Sequence, residues 1–186
     1  MRVIAGTLGG RRLKAPTGRA TRPTSDRVRE ALFAMLAELD GAHVLDLFAG
    51  TGALGIEALS RGAASAVFVE RDARAAAILR ANLDALELGP ERGELRRGEA
   101  LGALRVAQER GELYDLVLID PPYGDAASLG EKLPALLAPV LASGARVVTE
   151  SDRRTPLELD IPIATARRYG DTSITIHQRW PDPSAR

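Results

Sequence analysis

The chain predicts an α/β fold in which helices cover both faces of a mostly parallel sheet, and three observations carry that expectation. Short apolar, β-branched runs alternate with amphipathic stretches from His43 to Glu150. A glycine-rich turn, Gly50-Thr51-Gly52-Ala53-Leu54-Gly55, follows the first of these runs and opens a helical stretch. After Glu150 the alternation gives way to two strand-like runs joined by Tyr169-Gly170-Asp171, a hairpin signal. Strand and helix in strict alternation imply parallel strands linked by crossover helices, and the closing pair adds an antiparallel hairpin. At 186 residues with 45% hydrophobic side chains, the chain is long enough for one domain with one shared core.

The elements follow in order. Residues 1–23 hold Gly6, Gly9, Gly10, Pro16, Gly18 and Pro23, with short extended pieces at Arg2–Ala5 and Arg11–Lys14. From Thr24, Val28, Ala31, Leu32, Met35, Leu36 and Leu39 recur at helical spacing, so a helix is expected to run until near Gly41. His43–Phe48 reads as a strand, Ala53–Arg61 as a helix, Ala66–Glu70 as a strand and Asp72–Leu86 as a helix. A weaker strand near Glu94–Arg97 precedes a helix over Ala100–Gln108. Tyr114–Ile119 is a strand, Leu129–Leu141 a helix and Ala145–Glu150 a strand, before the pair Ile161–Arg168 and Thr172–Gln178. The tail from Pro181 is expected to fray. No internal repeat or linker divides the chain, so residues 24–186 read as a single domain and 1–23 as a basic extension.

Composition excludes several chemistries. The chain has no cysteine, which removes disulfides, thiolate metal sites and a Cys nucleophile. The start carries no apolar signal region and no stretch is long enough to span a bilayer, so a cytoplasmic protein without membrane or metal is expected. Net charge is zero but uneven: residues 1–30 carry +6 and the remainder −6. Local rather than total charge sets affinity for phosphates, so Arg2, Arg11, Arg12, Lys14, Arg22 and Arg27 are candidate contacts to a polyanion. A solvated surface segment is the plainer alternative. His43 and His177 stand isolated on strands and are given no chemical role. Phe33 belongs to the helical stripe, and Trp180 is assigned no role.

The glycine turn matches G-x-G-x-x-G, and Glu70 lies 18 residues beyond Gly52 at the end of the next strand. That is also the dinucleotide-binding fingerprint, so the turn alone leaves a nicotinamide enzyme open. Two details count against it. Asp46 precedes the turn at the mouth of the strand, where a carboxylate repels a pyrophosphate and attracts a cationic amino-acid group. S-adenosyl-L-methionine has an ammonium, a sulfonium and no phosphate. The glycines then serve close backbone approach, and Glu70 accepts from two ribose hydroxyls.

The second detail is Asp120-Pro121-Pro122-Tyr123, directly after the apolar run Leu116–Ile119. Proline fixes φ, lacks an N–H, and drives the preceding residue toward extended geometry. The loop is therefore stiff. An Asp acceptor, a Pro carbonyl and a Tyr ring in that order suit a flat ligand bearing an amino group. Hydride transfer has no use for such a clamp; methyl transfer to an amino nitrogen does.

Taken together, the glycine turn, Glu70 and Asp120–Tyr123 resemble the class I methyltransferases that modify exocyclic amino groups of bases. The stretches Gly6–Lys14, Arg22-Pro23-Thr24-Ser25-Asp26-Arg27-Val28-Arg29-Glu30-Ala31-Leu32-Phe33 and Tyr169-Gly170-Asp171-Thr172 narrow the likeness to the bacterial 16S rRNA (guanine-N2)-methyltransferase RsmD family, over nearly the whole chain. The resemblance implies a Rossmann-like fold with a seven-stranded sheet, and methylation of one guanine in small-subunit rRNA by a monomer acting on an assembled or partly assembled subunit. It places Asp46, Phe48, Gly50 and Gly52 around the methionine and ribose of the cofactor, Glu70 on the ribose and Arg71 beside the adenine. Glu99-Ala100 falls where related enzymes often carry an Asp toward the adenine amino group; here the acid is one methylene longer, and a solvent-facing acid at a helix start is the alternative. Asp120 and the Pro121 carbonyl would accept from the guanine amino group, while Tyr123 stacks on the base.

Two rivals share parts of this pattern. A DNA or RNA adenine-N6 methyltransferase uses the same Asp-Pro-Pro-Tyr chemistry, but its sizeable target-recognition region finds no room here. Sheet and helices consume the chain between Gly55 and Asp120, and only 63 residues follow Tyr123. A non-enzymatic RNA-binding assembly factor would have no use for both a cofactor turn and an amino clamp.

Overall fold

The computed structural model of the chain describes residues 1–16, 26–36, 38–122 and 126–178; Arg22, Tyr123 and Trp180 lie outside them. The helices are α1 (Asp26–Leu36), α2 (Ala53–Ser60), α3 (Ala73–Ala85), α4 (Ala100–Glu109) and α5 (Ala126–Leu137), the last followed by a 3₁₀ turn, Ala138–Val140. The strands are β1 (His43–Asp46), β2 (Ser65–Glu70), β3 (Gly93–Arg97), β4 (Tyr114–Ile119), β5 (Leu141–Asp152), β6 (Ile163–Tyr169) and β7 (Thr172–Gln178). They form one seven-stranded sheet in the order β3-β2-β1-β4-β5-β7-β6. β1 to β5 are mutually parallel, and β7 runs antiparallel to both β5 and β6.

Each face of the sheet buries its own apolar layer, because successive strand side chains point to opposite sides. Val44, Ala66, Phe68, Leu116 and Leu118 meet Leu32, Phe33 and Leu36 of α1, Ile56 and Leu59 of α2, and Leu79 and Leu83 of α3. Leu45, Val67, Val69, Val117 and Ile119 meet Leu104 of α4 together with Leu133 and Leu137 of α5. Phe33 is part of the first layer, with the Arg61 guanidinium 5.1 Å from its ring centre.

Several boundaries depart from the sequence expectation. α1 stops at Leu36, although Leu39 stays buried. α5 starts at Ala126 and ends at Leu137, with Pro134 inside it. β5 begins at Leu141, because its pairing with β4 jumps from Tyr114↔Leu141 to Leu116↔Arg146. The intervening Ala-Ser-Gly-Ala bulges out with Gly144 at φ 73°, a local irregularity that apolar periodicity does not register.

The extension is not a loose arm over its described length. Residues 1–14 fold back on themselves through an antiparallel bridge, Arg2↔Arg12, with backbone bonds from Val3 to Arg11 and from Leu13 to Met1. Val3 and Leu13 are buried. The hairpin is docked on α2 by Glu57, whose fully buried carboxylate accepts from the backbone N–H groups of Ile4 (2.7 Å) and Ala5 (3.1 Å). Gly6, at φ +82°, approaches α2 so closely that a Cβ would stand 1.8 Å from the Ser60 carbonyl oxygen. Among the described residues, no helix is long and apolar enough to cross a membrane.

Candidate active site

The strand order turns at β1: the chain runs outward through β2 and β3, then returns to place β4 on the other side. Open α/β sheets bind ligands at such a switch point, beyond the carboxyl ends of the strands. Asp46 pairs in register with Phe68 on one side and Leu118 on the other. Asp46 and Glu70 end β1 and β2, and Asp120 directly follows the last residue of β4, so three acidic residues stand at the carboxyl ends of three adjacent strands.

Asp46 is the most constrained of them. It is 1% exposed, and Oδ2 accepts from the backbone N–H of Gly55 at 3.1 Å. Oδ1 is buried with no hydrogen bond of normal geometry, though the nearby Phe48 amide also pulls the carboxyl's pKa down. Burial pushes its pKa from 3.8 up to about 7, the Gly55 bond pulls it down, and the neighbouring Glu70 charge adds to the rise. An acid with an orphaned buried oxygen, raised in this way, awaits a cation.

Glu70 is half-buried and already oriented: Oε2 accepts from Gly50 N–H (2.8 Å) and Oε1 from Asp72 N–H (2.7 Å). A carboxylate has further lone pairs on both oxygens. The turn between them is tight, with Gly52 N–H donating to Ala49 O at 2.7 Å. Gly52 adopts φ +87°, and a Cβ there would meet Leu79 Cδ1 at 2.4 Å. Gly50 adopts φ +55° with open space where its Cβ would lie, leaving room for a ligand against the backbone. Phe48 is half-buried, packing on the α4/α5 layer.

At the rim, Arg71 Nη1 lies 3.6 Å from Glu99 Oε2, with side chains 57% and 72% exposed. Glu99 is the N-cap residue of α4, its side chain makes no capping bond, and Ala100 is buried behind it. Asp120 and Pro121 are half-buried and Pro122 is exposed; Tyr123 lies outside the described residues.

Of the candidate polyanion contacts, Arg2, Arg11, Arg12, Lys14 and Arg27 are exposed. Arg11 Nη2 donates to the Ala85 carbonyl at the end of α3 (2.8 Å). Arg2 lies 3.7 Å from Asp26. Arg29, counted in the same basic stretch, is corrected by the structure: it is fully buried, donates to Asp26 Oδ1 at 3.0 Å and faces Glu57 at 3.8 Å. Its charge serves the interior and is unavailable to phosphates. His43 is exposed with Nδ1 2.8 Å from Ser65 Oγ, and His177 is buried with Nδ1 bonded to the Ile161 carbonyl. Among the described residues, no group of three or more His, Asp or Glu side chains is arranged to hold a metal ion.

Two residues escaped the sequence reading. Glu57 lies in the run Ala-Leu-Gly-Ile-Glu-Ala-Leu-Ser, and an acid in a helix apolar on all sides is the sign that a buried partner exists. Asn82 is 2% exposed on α3, on the stripe that carries Leu79 and Leu83. Its Oδ1 accepts from Lys14 N–H (2.8 Å), and its Nδ2 donates to the carbonyls of Lys14 (3.1 Å) and Thr51 (2.9 Å). A polar residue inside an apolar helical stripe is the signal that would have found it.

The chain is similar to known proteins in sequence and fold. The family model described as "Conserved hypothetical protein 95" matches residues 1–178. The Bacillus subtilis protein YlbH is 39% identical over 188 residues, covering 96% of this chain and 99% of that protein. "Ribosomal RNA small subunit methyltransferase D" of Haemophilus influenzae is 36% identical over 160 residues, 84% of this chain and 81% of the relative. The solved Escherichia coli structure of yhhF superposes with a TM-score of 0.82 at 34% identity, covering 98% and 99% of the two chains. An RNA methyltransferase of Salinibacter ruber, solved with S-adenosyl-L-homocysteine, shares the fold at 18% identity and a TM-score of 0.65, over 89% of this chain and 98% of that one. The chain belongs to the RsmD family of class I S-adenosylmethionine-dependent methyltransferases.

Proposed function

We propose that the chain methylates the exocyclic N2 of a guanine in small-subunit (16S) ribosomal RNA, acting as a cytoplasmic monomer on an assembled or partly assembled subunit. The observation that carries this reading is the row Glu70, Asp46, Asp120 across the switch point, with the two prolines fixing the loop after Asp120. S-adenosylmethionine, when bound, supplies a methyl group on a cationic sulfur. The residues present suit it: the buried Asp46 Oδ1 is available to a cation, Gly50 admits close approach while Gly52 keeps the turn tight against Leu79, and Glu70 takes hydroxyls.

The amino nitrogen of guanine is a poor nucleophile because its lone pair is delocalised into the ring. Asp120 and the Pro121 carbonyl accept its two N–H bonds and draw the nitrogen toward tetrahedral geometry. The proton that the nitrogen releases passes to Asp120 or to water. Tyr123 stacks on the base, which must leave its own stack to enter. Alignment and preorganised charge provide the acceleration, with no covalent intermediate. The exposed bases Arg2, Arg11, Arg12, Lys14 and Arg27, together with Arg22, contact RNA phosphates. The relative named as a small-subunit rRNA methyltransferase supports the choice of substrate. An assay with labelled S-adenosylmethionine on naked 16S rRNA, immature small subunits and DNA tests it: label is expected on rRNA or subunits, and label on DNA alone would overturn the reading.

A further inference from the structure

Asn82 joins two parts of the molecule that the mechanism uses separately. One primary amide holds both backbone groups of Lys14, at the end of the basic hairpin, and the carbonyl of Thr51, in the cofactor turn. The Nδ2 protons are divided between these two carbonyls, so the turn and the hairpin are one amide group apart. Burial raises the stakes: an amide that is 2% exposed cannot exchange a lost partner for water without the desolvation penalty of an unpaired buried group. Leu79, one helical turn earlier, lies against Gly52 from the same α3 face. α3 therefore supports the turn at two points and the hairpin at two, through Asn82 and through the Ala85 carbonyl that accepts from Arg11. Nothing in methyl transfer itself needs an amide at this place.

We propose that Asn82 is a positioning residue that locks the basic hairpin to the cofactor turn, so that donor occupancy and rRNA affinity rise together. This rests on the reading that the hairpin contacts RNA. A ligand that orders Gly50–Gly52 fixes the Thr51 carbonyl, hence the Asn82 amide, hence the Lys14 backbone. RNA then meets a hairpin end whose ordering has already been met. Linkage makes the effect reciprocal.

The test measures the affinity of a 16S rRNA fragment with and without saturating S-adenosyl-L-homocysteine, and the reverse. Wild type is expected to bind RNA about 5-fold or more tightly with the cofactor product present, within the usual range of coupled sites. The Lys14 amide should gain protection from hydrogen exchange under the same conditions. In Asn82→Ala and Asn82→Asp the coupling factor should fall to near one. Lys14→Pro deletes the N–H that Asn82 accepts, while Lys14→Ala removes only the side chain. Coupling is expected to survive in Lys14→Ala and vanish in Lys14→Pro, a comparison that stands even where an Asn82 variant fails to fold. Undiminished coupling in Asn82→Ala or Lys14→Pro, or none in a wild type that binds RNA, would overturn the clamp alone. A wild type that does not bind the fragment would overturn the RNA reading, and the clamp with it.

Discussion

Replacing Asp46 by Asn removes a buried charge and keeps an acceptor for the Gly55 amide. The carboxyl is held at about 7 instead of 3.8, chiefly by burial. At about 1.4 kcal/mol per pKa unit, its ionisation costs the folded protein on the order of 4 kcal/mol relative to the unfolded chain. The sign follows from the folded value being the higher one. The folded state holds the proton more tightly, so this contribution to stability is complete below about pH 4 and is lost as pH rises through about 7. Asp46→Asn should therefore stabilise the free protein at pH 8 by up to about 4 kcal/mol, and by almost nothing at pH 4. For a chain of this size that is a rise in melting temperature of roughly 8–16 °C at pH 8. The same change removes the proposed partner of the cofactor's ammonium, and breaking a buried pair costs about 3–5 kcal/mol, an expected loss of affinity of more than about 100-fold. Scanning calorimetry at pH 4, 6 and 8, with titration calorimetry of S-adenosyl-L-homocysteine, reads both effects. In wild type the cofactor should bind more tightly as pH rises from 6 to 8, releasing a proton at the lower value; in Asp46→Asn that dependence should disappear. Destabilisation at pH 8, a gain independent of pH, or unchanged cofactor affinity would refute the reasoning.

Other perturbations separate the remaining parts of the site. Glu57→Ala leaves Arg29 buried beside only a part-exposed Asp26, and unfolding by urea should show a loss of about 3–5 kcal/mol, with faster proteolysis of residues 1–16. Gly52→Ala forces a Cβ against Leu79 at φ +87°; a loss of about 1–2 kcal/mol in stability and weaker cofactor binding are expected, and wild-type affinity would mean that the turn tolerates a side chain. Charge reversal at Arg11 and Arg12 should weaken rRNA binding and lower the salt slope by about 1.4, at roughly 0.7 per phosphate contact for single strands. An unchanged slope would leave the hairpin a solvated surface.

The sheet was legible because its signals are local. Alternating apolar runs, a glycine turn after the first strand and an acid near the end of the second each follow from backbone geometry, and together they imply a mostly parallel sheet; the strand order came from the structure. Asp46, Glu70 and Asp120 could be picked out for the same reason: each stands where a strand ends. The docking of the N-terminal hairpin was not legible. It depends on Glu57 and Asn82 reaching backbone groups 52, 53 and 68 residues away in the chain, and polar pairings at such separation leave no periodicity. Arg29 shows the limit of counting charge: its place on the stripe of Leu32, Phe33 and Leu36 marks it as buried, unlike Arg27, and a sum of charges ignores that spacing. Glu99 falls between these cases: its place at a helix start was readable, and its ion pair with Arg71 was not.

The central claim is that Asp120 and the prolines after it hold a guanine amino group for methylation. Small subunits lacking the modification, incubated with S-adenosylmethionine labelled in the methyl group and then digested to nucleosides, test it directly. The account predicts label in N2-methylguanosine with wild type, and loss of that label with Asp120→Ala while S-adenosyl-L-homocysteine still binds. Label in an adenosine derivative, or near-wild-type methylation by Asp120→Ala, would contradict it.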